Sequence, residues 1–142
     1  MKNEKRADVE GVHPSRLALL IAAPHKDEVA MHNDVGAMFN ALLVRGFSSK
    51  DILLLEGKLN RKLLMSLIGA INKRVATWKS GEVFMHYSGN GAFIGSTASE
   101  TRVGLQLAPD KPSHKSNRVF WDEVFTALRL PTNVRLILLP DC

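Results

Sequence analysis

The residues best suited to chemistry in this sequence lie in two short segments, SGNG at residues 88–91 and PDC at residues 140–142. Each segment follows an apolar run, EVFMHY before the first and VRLILL before the second, so each is expected to follow a buried strand. Functional groups of open parallel sheets lie just beyond the carboxyl ends of the strands. We therefore expect Asn90 and Cys142 to face each other across a crevice.

A cysteine in such a crevice needs a base before it can act as a nucleophile. A facing histidine keeps the sulfur as a thiolate and then protonates the leaving amine, which is the chemistry of a thiol protease. Here the facing residue is Asn90, whose amide transfers no proton at neutral pH. A plainer interpretation also stands, because Gly-Asn-Gly is ordinary turn chemistry and a lone cysteine after a strand is commonly an inert hydrophobe.

Three other histidines lie near these strand ends. His86 is four residues before Asn90 on the same strand, so we expect its side chain to point between helix and sheet as a structural residue. His25 and His32 follow the first predicted strand, and we interpret both as surface residues.

The elements that must position these groups alternate between strands and helices. Apolar runs predict buried strands at residues 16–23, 51–56 and 134–139, in addition to the strand that leads into the SGNG turn. Helical spacing predicts one helix capped by Asn33 and Asp34, a second capped by Asn60, and a third over residues 119–128. Residues 92–110 are predicted to be a loop with a small hairpin around residues 103–107. This order predicts an α/β fold with a mainly parallel sheet between two helix layers.

Composition restricts the class of protein. The 142 residues predict one domain at residues 16–142, preceded by a polar, flexible arm at residues 1–15. The net charge of +5 is scattered, which favours a solvated basic face over a nucleic-acid partner.

No apolar run reaches the length of a membrane span. The single cysteine and the absence of a secretory signal predict a cytoplasmic location. Neither zinc-ligand spacing nor a dinucleotide-binding glycine pattern is present, so no metal or cofactor is expected.

The strand at residues 134–139 is expected to lie at a sheet edge that is poorly protected. Only Arg135 and Pro140 could blunt that edge. We therefore expect the chain to be one part of a larger protein or complex, in which a C-terminal portion or a partner chain covers this strand.

From residue 16 onward, the sequence resembles the large-subunit half of caspase-like cysteine peptidases, and the metacaspase branch more than the animal caspases. The segment GEVFMHYSGNG is similar to the family's "GD…FYYSGHG", and VRLILLPDC is similar to its strand ending in "DSC" or "DCC". NDVGAMFNALLVRGF and VFWDEVFTALRLP resemble two of its helices. The resemblance implies a three-layer caspase-like fold, here without its C-terminal strands. It also implies an endopeptidase that hydrolyses peptide bonds with a Cys–His dyad.

The resemblance assigns roles to individual residues. The family's general-base histidine falls on Asn90, which implies little or no turnover. Cys142 is the nucleophile when cysteine is aligned on cysteine, but it is the residue before the nucleophile when Asp141 is aligned on the family's aspartate.

The resemblance further implies that the backbone N–H groups around Gly89 and Gly91 stabilise an oxyanion. It implies that Ser88 and Asp141 line the substrate site. Val103 stands where the family has an aspartate, and the QACxG signature of animal caspases is absent, so no residue preference at the cleaved bond is predicted.

Two other functions stay open at this point. One is a catalytically dead homologue that acts as a binding or scaffold domain. The other is a flavodoxin-like ligand-binding domain, which would need a phosphate or nucleotide at residues 88–91.

Overall fold

The computed structural model of the chain describes residues 14–24, 29–107 and 117–142. The predicted arm therefore lies almost wholly outside the described residues, and Ser15 already belongs to the first strand. In chain order the elements are β1 (Ser15–Ala23), α1 (Ala30–Val44), β2 (Ile52–Glu56), α2 (Arg61–Val75), β3 (Gly81–Gly89), β4 (Gly91–Ile94), β5 (Arg102–Gln106), β6 (Arg118–Phe120), α3 (Trp121–Ala127) and β7 (Val134–Asp141).

Four parallel strands form the main sheet, in the order β2-β1-β3-β7. The two central strands, β1 and β3, pair along their whole length, from Ser15 opposite Gly81 to Ala23 opposite Gly89. Both are apolar runs because helices cover both faces of a central parallel strand. The predicted parallel α/β sheet is therefore confirmed, and β7 extends two residues beyond its predicted end.

Alternate residues of β1 supply two separate cores, one on each face of the sheet. Leu17, Leu19 and Ile21 pack with the buried face of α2 and with Val124 of α3. Ala18, Leu20 and Ala22 pack with α1 on the other face. This alternation follows from the two-residue period of a strand, and it gives the predicted layers of helix, sheet and helix.

The start of α1 differs from its prediction, whereas the start of α2 agrees with its prediction. The predicted cap at Asn33 and Asp34 is wrong, because α1 begins at Ala30 and both residues lie inside the helix. Asp34 instead accepts a hydrogen bond from the Ser88 hydroxyl. The predicted cap at Asn60 is confirmed, since its side-chain oxygen accepts the backbone N–H of Leu63 at 2.9 Å.

A second, antiparallel sheet contains β4, β5 and β6 in that order. The predicted small hairpin around residues 103–107 is wrong in its extent, because residues 102–106 form one strand, β5, which pairs with β4 on one side and β6 on the other. The predicted helix over residues 119–128 is wrong at its start, because its first two residues belong to β6. Gly104 permits this close pairing, since a Cβ on Gly104 would overlap the backbone of Val119 and Phe120.

The strand β7 lies at one edge of the main sheet, as predicted, and within the described residues it pairs only with β3. Leu139, on the α1 side of this edge, is 47% exposed. No helix among the described residues is both long enough and apolar enough to span a membrane.

An ion pair joins α2 and α3, which pack on the same face of the main sheet. Arg61 of α2 donates to the Glu123 carboxylate of α3 at 2.8 Å. Glu123 also accepts the backbone N–H of Phe120 at 2.9 Å, which satisfies one free donor at the start of α3. The hydrogen bond from Arg61 lowers the pKa of the Glu123 carboxyl below its ordinary value of 4.5.

This pairing predicts an acid-sensitive contribution to stability. The folded state holds the Glu123 carboxylate ionised, so its stabilisation is present above pH 4.5 and is lost as the pH falls through the lowered pKa. Glu123→Gln should reduce the free energy of unfolding by about 1–2 kcal/mol at pH 7. In urea titrations the difference from the unsubstituted chain should shrink as the pH falls below 4.5 and disappear once the Glu123 carboxyl is protonated in the folded state. The control is Glu100→Gln at an exposed carboxylate that accepts a hydrogen bond from the Ser96 hydroxyl but forms no ion pair with a described residue. Equal losses for the two variants would contradict the prediction.

Candidate functional site

The carboxyl ends of β3 and β7 lie side by side in the sheet. Ser88 pairs with Asp141, so Cys142 comes next to the turn that follows β3. A Cβ built on Gly91 would lie 3.6 Å from the Cys142 sulfur and 3.8 Å from the Cys142 Cβ. The SGNG and PDC segments, 50 residues apart in sequence, therefore meet at one edge of the sheet, with an exposed thiol against the backbone of the turn.

The turn itself is held by its backbone. Asn90 is the single residue between β3 and β4, and its carbonyl oxygen accepts the backbone N–H of Gln106 at 2.9 Å. The Tyr87 hydroxyl lies 2.7 Å from the same oxygen and 2.9 Å from the Gln106 carbonyl. Burial raises the pKa of this hydroxyl, so it stays protonated and donates. The main chain of Asn90 is thus fixed, whereas its side chain is exposed at the lip of the sheet.

The two glycines of the turn occupy different strands. Gly89 is the last residue of β3, buried opposite Ala23, and Gly91 opens β4 opposite Leu105. A side chain on Gly89 would collide with the Tyr87 hydroxyl, so the tyrosine that fixes the turn requires glycine there. The role of these residues in an oxyanion site stays a prediction.

A cavity of about 570 Å³ opens beside this edge, between α1 and the ends of β3 and β7. Its lining residues are Asp34, Ala37, Met38, Ala41, His86, Leu139, Pro140 and Asp141. Ser88 is buried behind it and donates its hydroxyl hydrogen to the Asp34 carboxylate at 2.9 Å. The carboxylates of Asp34 and Asp141 give the cavity a negative wall.

His86 is buried on the α1 face of β3, as the sequence predicts. Its Nδ1 lies 2.8 Å from the carbonyl oxygen of Leu139. Because a carbonyl oxygen can only accept, Nδ1 carries the hydrogen of this bond. Nε2 is enclosed and has no hydrogen-bond partner among the described residues.

Of the other four histidines, only His32 lies within the described residues. His32 lies in α1 with its Nδ1 3.2 Å from the Glu56 carboxylate, at the end of the opposite edge strand, β2. His25 lies outside the described residues. The described part of the chain also contains no group of three or more His, Cys, Asp or Glu side chains arranged to hold a metal ion.

Sequence reasoning did not place Asp34 in the site. The Asn-Asp pair suggests a helix cap, because a local pattern cannot show that a hydroxyl 54 positions later donates a hydrogen bond to the carboxylate. The alternation of β3 does carry a signal, since it puts His86 and Ser88 on the face that α1 covers.

The chain matches no protein-family model and no curated protein. Its function is therefore inferred from the geometry of this sheet edge.

The meeting of the two segments predicts a disulfide. The Cβ–Cβ separation of 3.8 Å between position 91 and Cys142 lies in the range that disulfides require, and Gly91 is not one of the described glycines with positive φ. Gly91→Cys should therefore lose both free thiols under mild oxidation as an intramolecular bond forms, as measured by thiol titration and intact mass. A control cysteine, Ser49→Cys, lies before β2 at the opposite end of the sheet and should keep both thiols free. Equal oxidation of the two variants would show that Cys142 is not held at Gly91.

Proposed function

We propose that this chain is a caspase-like cysteine peptidase domain of the metacaspase type, with Asn90 at the general-base position and hence little or no turnover. The observation that carries the proposal is the contact of Cys142 with the turn at Gly91. Supporting it, the parallel sheet with helices on both faces is compatible with a three-layer caspase-like fold.

In this proposal each part of the edge has one task. The sulfur of Cys142, or of the residue after it in the ungapped alignment, attacks the carbonyl carbon of a peptide bond. Backbone N–H groups around Gly89 and Gly91 stabilise the negative oxygen that forms. A histidine at position 90 would keep the thiolate and protonate the leaving amine. Asn90 can hydrogen-bond the substrate there, but it supplies no proton.

The cavity beside the thiol suggests which side chain it would accept. Asp34 and Asp141 present carboxylates to the space, and the hydroxyl of Ser88 orients the first of them. A carboxylate-lined pocket favours an ammonium or guanidinium group through charge-assisted hydrogen bonds. We therefore expect peptides with Lys or Arg before the scissile bond to bind in preference to peptides with Asp or Leu.

Restoring the base tests the proposal directly. Asn90→His should raise hydrolysis of a fluorogenic arginyl peptide by roughly 10²-fold or more, because a general base typically contributes 10²–10⁴. The matched control, Asn90→Gln, keeps an amide and should gain nothing. Cys142→Ala in the Asn90→His background separates the two alignments: loss of the gain identifies Cys142 as the nucleophile. No gain over Asn90→Gln in the full-length protein, which also contains the residue after Cys142, would count against a peptidase.

The charge of the cavity gives a second test in the Asn90→His background. Asp34→Asn keeps the size of the side chain and an oxygen for the Ser88 hydroxyl, but it removes the negative charge. It should lower kcat/KM for the arginyl peptide about tenfold, because a hydrogen bond to a charged group contributes about 1.5–3 kcal/mol. Hydrolysis of the matched leucyl peptide should change less than twofold, and an equal loss for both peptides would exclude a charge-recognising pocket.

The second candidate function is a catalytically dead homologue that binds a protein or peptide. Asn90 favours it, and so does the open β7 edge, where Phe84, Ile137 and Leu139 line a groove of about 540 Å³. A partner could add a strand to that edge, which is the expected role of a covering C-terminal portion or partner chain. Under this hypothesis the unsubstituted chain binds the arginyl peptide in calorimetry and Asp34→Asn weakens binding, whereas Asn90→His produces no hydrolysis.

A further inference from the structure

Residues 139–142 have little support from the rest of the fold. All four are exposed, and in the described part of the chain their strand pairs on one side only. Pro140 has no backbone N–H, so it cannot donate a bond to any neighbouring strand. Backbone pairing alone therefore holds this segment weakly, although the Cys142 sulfur lies at a defined place against Gly91.

One side chain compensates for this weakness. The Nδ1–H of His86 donates to the Leu139 carbonyl at 2.8 Å, immediately before Pro140. Leu139 is also the register partner of His86, so the imidazole adds a bond from β3 to its own neighbour on β7.

The donor side of this bond is buried. The His86 residue is 3% exposed, packed between β3 and α1, and its Nε2 bonds to no described residue. The ring is therefore oriented by packing, and its Nδ1–H donates to the Leu139 carbonyl of β7. The acceptor residue Leu139 is exposed, but the enclosed imidazole limits the competition of water at the donor end of the bond.

We propose that His86 is a positioning residue that holds residues 139–142 against β3 and thereby fixes the Cys142 sulfur at Gly91. Its effect on catalysis rests on the proposed function, whereas the positioning itself does not.

Two substitutions separate the two ring nitrogens. His86→Asn places an amide N–H near the position of Nδ1 and can keep the bond, whereas His86→Gln reaches the position of Nε2 and loses it. Each is introduced into the Gly91→Cys protein, and disulfide closure with Cys142 is equilibrated against a glutathione buffer. The equilibrium constant for closure measures how well the thiol is held at position 91, independently of any enzymatic activity.

His86→Asn should leave the closure constant within about threefold, and His86→Gln should lower it about tenfold, the effect of one lost hydrogen bond. Equal constants for the two variants would overturn the proposal. In the Asn90→His background, His86→Gln should lower kcat by more than His86→Asn does. Normal closure together with no peptidase activity refutes only the proposed function, whereas equal closure in both variants refutes only the positioning.

A measurement on the unsubstituted chain covers the case in which a variant fails to fold. The ¹⁵N spectrum of the His86 ring should show hydrogen on Nδ1, with slow exchange of that hydrogen with solvent. Hydrogen on Nε2 with none on Nδ1, or rapid exchange at Nδ1, would overturn the proposal without any substitution.

Discussion

The structure depends on one interaction, the continuous pairing of β1 with β3. Nine residues of each strand are in register, and both faces of the pair are covered, so neither strand can shift without exposing apolar side chains. The edge strands β2 and β7 attach to this pair, and their ends are set by it. Because all four strands are parallel, their carboxyl ends meet at one edge, and the polar residues after them are brought together there.

Three distant parts of the chain complete that edge, and each is fixed by a buried polar group. Tyr87 and Gln106 hold the main chain of Asn90, so the small antiparallel sheet supports the turn. Ser88 holds the carboxylate of Asp34 on α1. His86 holds the carbonyl of Leu139 on β7. All three holding side chains are consecutive in β3, which makes this strand the common support of the thiol, the turn and the cavity.

Under the proposed function, a single position separates a peptidase from a binding domain. The thiol, the backbone of the turn and the acidic cavity serve both roles equally, because each of them can hold a peptide. Only the side chain at position 90 decides whether a proton can be moved. A fold that keeps its geometry while losing this proton transfer would retain recognition, since the contacts that bind a substrate do not depend on the base.

The sequence by itself determined the four strands of the main sheet, the Asn60 cap and the alternation of these strands with helices, because apolar periodicity and capping are local properties. It also indicated that the SGNG and PDC segments follow parallel strands. Only the tertiary structure decided that α1 begins at Ala30 and that Asp34 lines a cavity. The Asp34 carboxylate accepts its hydrogen bond from Ser88, which is distant in the sequence. It likewise decided the small sheet, whose strands of three to five residues carry too little pattern to be recognised alone. Their pairing depends on the close approach that Gly104 permits, which is a property of two strands together.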